Sequence, residues 1–387
     1  MTTFAFAVSE EKNWANAAKK LAASLITKPT KEHPRELLGW LYITDDLATD
    51  FQNISKYLRD TTGVNNWIGS VGIGVCWLDG AGQSGEAFGR TAAVAMISEH
   101  PKDSYRILPR LGRSTSEIPK ATRHWMMSSN PSFGVVHGDP MNEIISNLIT
   151  TLTKEMENIK LEIPGFLVGG LTSSRGPHYQ LADEVINDGL SGVLFTPEVN
   201  VATGLSQGYT PVGPVHRVSD CSKNLIITLN NKPALNIFKN DIGELLAQDL
   251  QSVGGFIHAA FPISGSDTGD YVVRNLIGIE PEQGWLAIGG DVNIDDQVMF
   301  VRRDPAGANE DLVRMVRDLA KRLPSPARGG LYFSCVARGQ NLFEHEGAEM
   351  EIISRVFNHI PIVGFFGQGE ISNNRLYGYT GVLVLFL

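Results

Sequence analysis

The residues best suited to chemistry lie near the end of the chain. Pro361-Ile362-Val363-Gly364-Phe365-Phe366-Gly367-Gln368-Gly369-Glu370 is an apolar run that breaks into three glycines within six positions and then delivers one carboxylate. Glycine carries no Cβ, so a ligand or a second backbone can come close there. Glu370 is therefore expected at the rim of a buried sheet, beside Gly367 and Gln368, where it can take an ammonium group. Upstream, Phe333-Ser334-Cys335-Val336-Ala337-Arg338-Gly339 puts a small polar pair in a strand and an arginine just after it. A guanidinium is planar and permanently charged, so Arg338 at a strand end suits bidentate recognition of a carboxylate. Opposite charges across a glycine-lined cleft fit a zwitterion such as an amino acid.

Other segments offer weaker chemistry. Thr172-Ser173-Ser174-Arg175-Gly176 combines hydroxyls, free backbone N–H groups and one guanidinium, a set that holds a carboxylate or phosphate or else forms a solvated loop. Ser206 and Gln207 open a stretch dense in turn formers, read either as a pocket wall or as a wide turn between sheets. Arg274 alternates with its strand neighbours and faces either a pocket or solvent. Cys335 would be a nucleophile only with a histidine beside it, and His345 is the nearest in sequence; a cysteine in an apolar strand is more often inert core. His137-Gly138-Asp139-Pro140 reads as a capping turn. The sequence has no G-x-x-x-x-G-K-[ST], H-E-x-x-H or G-x-S-x-G, and Gly72-Ile73-Gly74 lacks the third glycine of a dinucleotide fingerprint. No catalytic residue, metal site or cofactor is expected.

Bulk properties narrow the class. A length of 387 residues favours two domains or one large one. The formal charge of −9 argues against a nucleic-acid surface, which needs clustered Lys and Arg. Three scattered cysteines, Cys76, Cys221 and Cys335, suit a reducing cytosol and give no metal framework. No signal peptide is expected, because Glu10, Glu11 and Lys12 follow the short apolar start, and no run approaches the ~18 apolar residues of a membrane helix.

The elements that must position these residues alternate between helix and strand. Strands are expected at Phe4–Val8, Gly39–Thr44, Val71–Trp77, Ala92–Ile97, Phe166–Leu171 and Gly192–Phe195. Further strands are expected at Val215–Val218, Leu225–Leu229, Phe256–Pro262, Val272–Ile279, Gln297–Arg302, Leu331–Cys335, Ile362–Phe366 and the final run. Helices are expected at Glu10–Ile26, Asp46–Leu58, Asn142–Leu161, Ala234–Gln251, Asn309–Leu323 and Gly347–Phe357. Thr27–Pro34 reads as a polar connector. Lys102–Ser132, without a steady period, reads as an irregular excursion and lid. Helices and strands interleave, and several adjacent strands lack a helical crossover. The expected class is therefore α/β (α+β), with mixed sheets covered by helices.

An internal echo points to two related halves. Glu143-Ile144-Ile145-Ser146, Ile163-Pro164, Leu167-Val168-Gly169-Gly170 and Gly192-Val193-Leu194-Phe195 recur in order as Glu351-Ile352-Ile353-Ser354, Ile360-Pro361, Ile362-Val363-Gly364-Phe365 and Gly381-Val382-Leu383. The halves would carry a sheet each or share one layered, pseudo-duplicated core. The turn Asn230-Asn231-Lys232-Pro233 divides the chain into 1–232 and 233–387.

Taken together the segments resemble the FIST family. The N-terminal half is similar in its Gly169-Gly170 strand end, Gly192–Phe195 and Ser206-Gln207-Gly208-Tyr209-Thr210-Pro211-Val212-Gly213-Pro214. The C-terminal half is similar in Tyr271–Asn275, Phe333–Gly339, Gly364–Glu370 and Tyr379-Thr380. The resemblance implies a FIST N-terminal-like domain over 1–232 and a FIST C-terminal-like domain over 233–387. It also implies a cytoplasmic sensory protein that binds a small molecule such as an amino acid and signals through a protein partner. Relatives often carry a fused output module, for which this chain has no room. The expected ligand-binding residues, chosen by position and chemistry, are Thr172, Ser173, Arg175, Ser206, Gln207, Arg274, Arg338, Gly367, Gln368 and Glu370. A cysteine-dependent amide or thioester hydrolase and a protein-interaction scaffold stand as the alternatives.

Overall fold

The computed structural model describes residues 4–25, 35–157, 165–243, 250, 255–263 and 269–387. The polar connector at Thr27–Pro34 and the Ile163-Pro164 pair lie outside the described residues. The chain forms two compact units, Met1–Gln207 together with Asn309–Leu387, and Gly208–Ala308.

The larger unit is α/β and is built from one pattern used three times. The first copy runs strand Ala5–Ser9, helix Trp14–Leu25, strand Arg35–Thr44, helix Phe51–Thr62, strand Asn66–Gly72, hairpin Gly74–Asp79 and Ser84–Phe88, then strand Ala93–Pro101. The second runs strand Tyr105–Leu111, helix Lys120–Ser129, strand Phe133–Gly138, helix Ile145–Glu157, strand Phe166–Leu171, hairpin Gln180–Ala182 and Glu184–Ile186, then strand Leu190–Phe195. The third starts with strand Val201–Gln207. It resumes after the smaller unit with helix Pro305–Lys321, strand Gly329–Cys335, helix Ala348–Phe357, strand Pro361–Gly367, hairpin Glu370–Asn373 and Arg375–Tyr377, and strand Thr380–Phe386. The echo seen in the sequence joins the second and third copies, and the topology adds a first.

Each copy makes a sheet by the same rules. The two strands that flank the second helix are parallel, as a helical crossover requires. The last strand runs antiparallel beside the first of that pair, and the opening strand forms the edge. Each hairpin leaves its own sheet. That of the first copy pairs with Pro361–Gly367 of the third, that of the second with Asn66–Gly72 of the first, and that of the third with Phe166–Leu171 of the second. The exchange runs in a ring and ties the three sheets together. Their inner faces share one core, including Trp40, Tyr42, Phe133, Val168, Phe195, Phe333, Phe365 and Phe386. Helices cover the outer faces, with a second apolar layer under the first copy's helices and a third under the second's.

The smaller unit is antiparallel β with one described helix. Strands His216–Ser222, Leu225–Leu229, Trp285–Ile288, Tyr271–Glu280, Ile257–Pro262 and Gln297–Arg303 pair in that order. The pairing of the last with both Ile257–Pro262 and His216–Ser222 closes the ring. Helix Ala234–Ile242 packs Leu235 and Phe238 into its core.

Three sequence expectations are corrected. Val71–Trp77 is two strands broken at Ile73, one in the first sheet and one in the third, and Asp79–Gly85 turns a hairpin rather than leading to Ala92. Lys102–Ser132 is ordered as an edge strand and a helix; Pro109 is accommodated because that strand has a single neighbour. Ser206 and Gln207 end a strand, rather than opening a wide turn.

Candidate functional site

The third copy departs from the other two under its second helix. In the first two copies the outer sheet face beneath the helices is apolar. In the third, one row across the sheet reads Tyr332, Gly364, Cys76, Glu86, and the neighbouring row holds Ser206, Gly381 and Ser334. Glu86 arrives on the hairpin donated by the first copy. Gly381 is required at its place, because a Cβ there would stand 2.3 Å from the Tyr332 hydroxyl.

Glu349, on the first turn of helix Ala348–Phe357, points into this polar face and is fully buried. Its carboxylate accepts from Tyr332 Oη at 2.7 Å, Ser334 Oγ at 2.9 Å, Arg338 Nε at 2.9 Å and the Gly339 backbone N–H at 2.9 Å. Arg338 Nη2 lies 2.8 Å from the same carboxylate. Gly339 can approach only because it sits at φ +52; a Cβ would be 2.8 Å from the Phe366 ring. The Arg338 guanidinium stacks 5.2 Å from the Phe343 ring and donates from Nη2 to Ser206 Oγ at 3.4 Å. Burial works against its charge, but Glu349 outweighs that penalty and Arg338 remains a cation.

Glu370 enters from the other side of the sequence, at the first residue of the third copy's hairpin. Its Oε2 accepts from the Thr380 backbone N–H at 3.1 Å and from Thr380 Oγ1 at 2.8 Å. Glu370 and Arg338 are both fully buried and close enough that each charge acts on the other. Burial pushes the Glu370 carboxyl up to about 8, against the opposing pull of Thr380 and Arg338. Burial, followed by the Glu349 charge, pushes Glu86 up to about 8 as well. The backbone N–H groups of Gly347 and Met350 face Glu86, yet neither of its oxygens gains a hydrogen bond of good geometry. Glu370 Oε1 and Arg338 Nη1 are also buried without a hydrogen-bond partner. Such groups are costly to bury, and their concentration in one place asks for an explanation.

Of the residues singled out in the sequence, Ser206, Arg338 and Glu370 come together here. Gly367 lies next to them at the end of its strand, where its Cβ would meet the Leu171 carbonyl at 2.6 Å. Gln368 is exposed, and its N–H donates to the Leu171 carbonyl. The Gln207 N–H donates to Asp311 at 2.6 Å. Thr172 and Ser173 are buried and employed in the fold. Thr172 Oγ1 meets His178 Nδ1 at 3.0 Å, while Ser173 Oγ donates to the Phe366 carbonyl and accepts from the Ile73 N–H. Arg175 is exposed and holds Asp45 and Asp46. Arg274 belongs to the smaller unit, half-buried, with Nη1 3.3 Å from the Val273 carbonyl.

Two members were not singled out beforehand. Glu349 had a signal, because it stands three and four residues before the buried Ile352 and Ile353, on the apolar stripe of its helix. Glu86 had none; its short strand gains meaning only from a sheet formed by distant residues. Burial pushes the Cys335 thiol up to about 12, with the Glu370 carboxyl adding to that effect, and His345 is exposed and paired with Glu351. Among the described residues no group of His, Cys, Asp and Glu is placed to hold a metal ion, and no helix is long and apolar enough to cross a membrane.

The FIST N domain family matches residues 37–232 and the FIST C domain family residues 234–373. Uncharacterised proteins of Mycobacterium tuberculosis strain H37Rv and Mycobacterium bovis are similar to the chain, 32% identical over 248 residues and 30% identical over 245 residues. Each alignment covers 60% of this chain; it spans 64% of the first relative's length and 63% of the second's. The human F-box only protein 22 is 29% identical over 93 residues, 24% of this chain and 23% of that protein. FIST domains are sensory domains of signal transduction. The two domain matches run in order over most of the sequence, and the chain belongs to the FIST family.

Proposed function

We propose that the chain is a cytoplasmic sensory protein whose ligand, an amino acid or similar small zwitterion, engages the Arg338–Glu349–Glu370 cluster and whose output passes to a protein partner. One observation carries this reading. Arg338 Nη1, a donor, and Glu370 Oε1, an acceptor, are buried in one cluster with no partner from the chain. A ligand carboxylate satisfies the first and a ligand ammonium the second. The cluster draws Glu86 and Ser206 from the FIST N match and Arg338, Glu349 and Glu370 from the FIST C match, so binding acts on segments of both. A ligand shifts a conformational balance by its differential affinity for the two states, and a site drawn from both segments supplies that difference.

A thermal-shift and calorimetric survey of amino acids tests the proposal. At a ligand concentration of about 100 times Kd, stabilisation is about 2.7 kcal/mol. The stabilisation should vanish in Glu370→Gln and Arg338→Lys. Absence of any shift across the twenty amino acids and their amines would overturn it. The cysteine-dependent hydrolase gains no support, because the Cys335 thiol is held protonated.

A further inference from the structure

The ionisable groups buried in the cluster are mostly acids. Among the described residues it holds three carboxyls, Glu86, Glu349 and Glu370, against one guanidinium, Arg338. The guanidinium is committed to Glu349, which accepts both Nε and Nη2. Glu349 is filled further by two hydroxyls and a backbone N–H, so the pair is internally satisfied except for Nη1. What remains open is acidic: both oxygens of Glu86 and one of Glu370. Arg90, which contacts the Glu86 backbone, is paired with other carboxylates. It binds those of Glu10 and Glu346, and its remaining Nη2 contact is to the Glu86 backbone carbonyl at 2.8 Å.

Resting on the reading of this cluster as the sensory site, we infer that its ligand is a net cation, carrying more ammonium or guanidinium groups than carboxylates. An anionic ligand would add a fourth acidic group beside three, where the one guanidinium is already matched by Glu349. A neutral zwitterion would satisfy Nη1 and one acid and leave the other acid open. A second cationic group fills the second acid and turns both carboxyls to their charged forms, which a buried carboxylate reaches only beside a positive partner. Cys76 and Tyr332, the other ionisable groups on this face, have burial as the main cause holding both well above their ordinary values. They stay neutral and supply no countercharge.

The test compares isosteres by calorimetry on the whole chain. L-lysine and L-norleucine differ by one ammonium group, L-glutamate brings the opposite charge, and cadaverine has two ammonium groups and no carboxylate. L-lysine should bind at least tenfold more tightly than L-norleucine, with cadaverine above L-glutamate, and Glu86→Gln should bring lysine and norleucine together. Binding of norleucine or glutamate as tight as that of lysine overturns the cation inference and leaves the sensory site standing. Silence from all four probes overturns the inference and counts against the site with it. The melting temperature of Glu86→Gln is measured first; should that variant not fold, the lysine–norleucine ratio in the unmodified chain decides.

Discussion

The second and third copies of the repeat share a topology and spend their outer sheet faces differently. Under helix Ile145–Glu157 the second copy packs Val136, Leu148, Ile149, Leu152, Leu167 and Leu194, all buried and apolar. Under helix Ala348–Phe357 the third packs Tyr332, Ser334, Cys76 and Glu86 around Glu349 and Arg338. The apolar face is what a strand–helix–strand crossover needs for stability. The polar face is not, because buried ion pairs rarely improve on well-packed apolar residues. This unequal use of equal topology is the contrast on which the proposed site in the third copy rests.

The largest expected effect breaks the polar face. Arg338→Met leaves Glu349 buried without its counter-ion and should cost about 3–5 kcal/mol in denaturant unfolding. Arg338→Met combined with Glu349→Met should recover most of that loss while abolishing ligand binding. A double variant as unstable as the single one would show that the cluster is structural. On the apolar side, Leu148→Ala should cost about 2–5 kcal/mol by leaving a cavity, with ligand binding retained.

A smaller effect follows from protons. In the folded chain Glu86 and Glu370 are held up to about 8, so across the interval from 4.5 to 8 the native state keeps protons that the unfolded chain has released. Stability then falls as pH rises through that interval. Two buried histidines act in the opposite sense at lower pH. Burial lowers His100 and His137 to about 3, so the unfolded chain binds their protons first and stability falls as pH drops from 6.5 to 3. The windows overlap below 6.5, and of these four groups the two carboxyls act between 6.5 and 8. Across that range each should contribute a loss of about 2 kcal/mol. Denaturation at pH 6.5 and pH 8 should show this decline, and Glu370→Gln should remove its share. A slope unchanged in the variant would place the Glu370 charge elsewhere.

The sequence made some of this visible and hid the rest for physical reasons. Interior strands such as Phe166–Leu171 and Thr380–Phe386 announce themselves as continuous apolar runs, because both of their faces are covered. Helix Phe51–Thr62 shows through Phe51, Ile54 and Leu58 on one face. Hairpins such as Gln180–Ala182 with Glu184–Ile186 stay hidden, since their strands are three residues long and their partner lies more than a hundred residues away. Helix Lys120–Ser129 buries only Thr122, Trp125 and Met126, too few to impose a period on the stretch read as irregular. In the site, Arg338 and Glu370 are legible because glycines stand beside lone charges. Glu86 is illegible because only the ring-wise exchange of hairpins brings it to the third sheet. The first copy of the repeat is hidden for a related reason, as its strand pattern is preserved in pairing and not in residue identity.

The smallest effect sharpens the contrast between a built charge pair and a decorative one. Arg175 also binds carboxylates through its guanidinium, reaching Asp45 at 2.6 Å and Asp46 at 3.0 Å, but its side chain is 56% exposed. Burial pushes the Asp45 carboxyl up, and the hydrogen bonds from Arg175 outweigh that and hold it below its ordinary value. This contribution is present above the ordinary carboxylate pKa and is lost as pH falls through the lower native one. Arg175→Ala should cost about 0.2–1 kcal/mol, because the backbone N–H of residue 175 still serves Asp45. The loss should shrink further in 1 M salt, where the Debye length is about 3 Å. The penalty of Arg338→Met should persist at that salt concentration, since its ion pair is closed to solvent. Equal salt sensitivity in the two variants would mean that water and ions reach Arg338, and that the polar face of the third copy is open in solution.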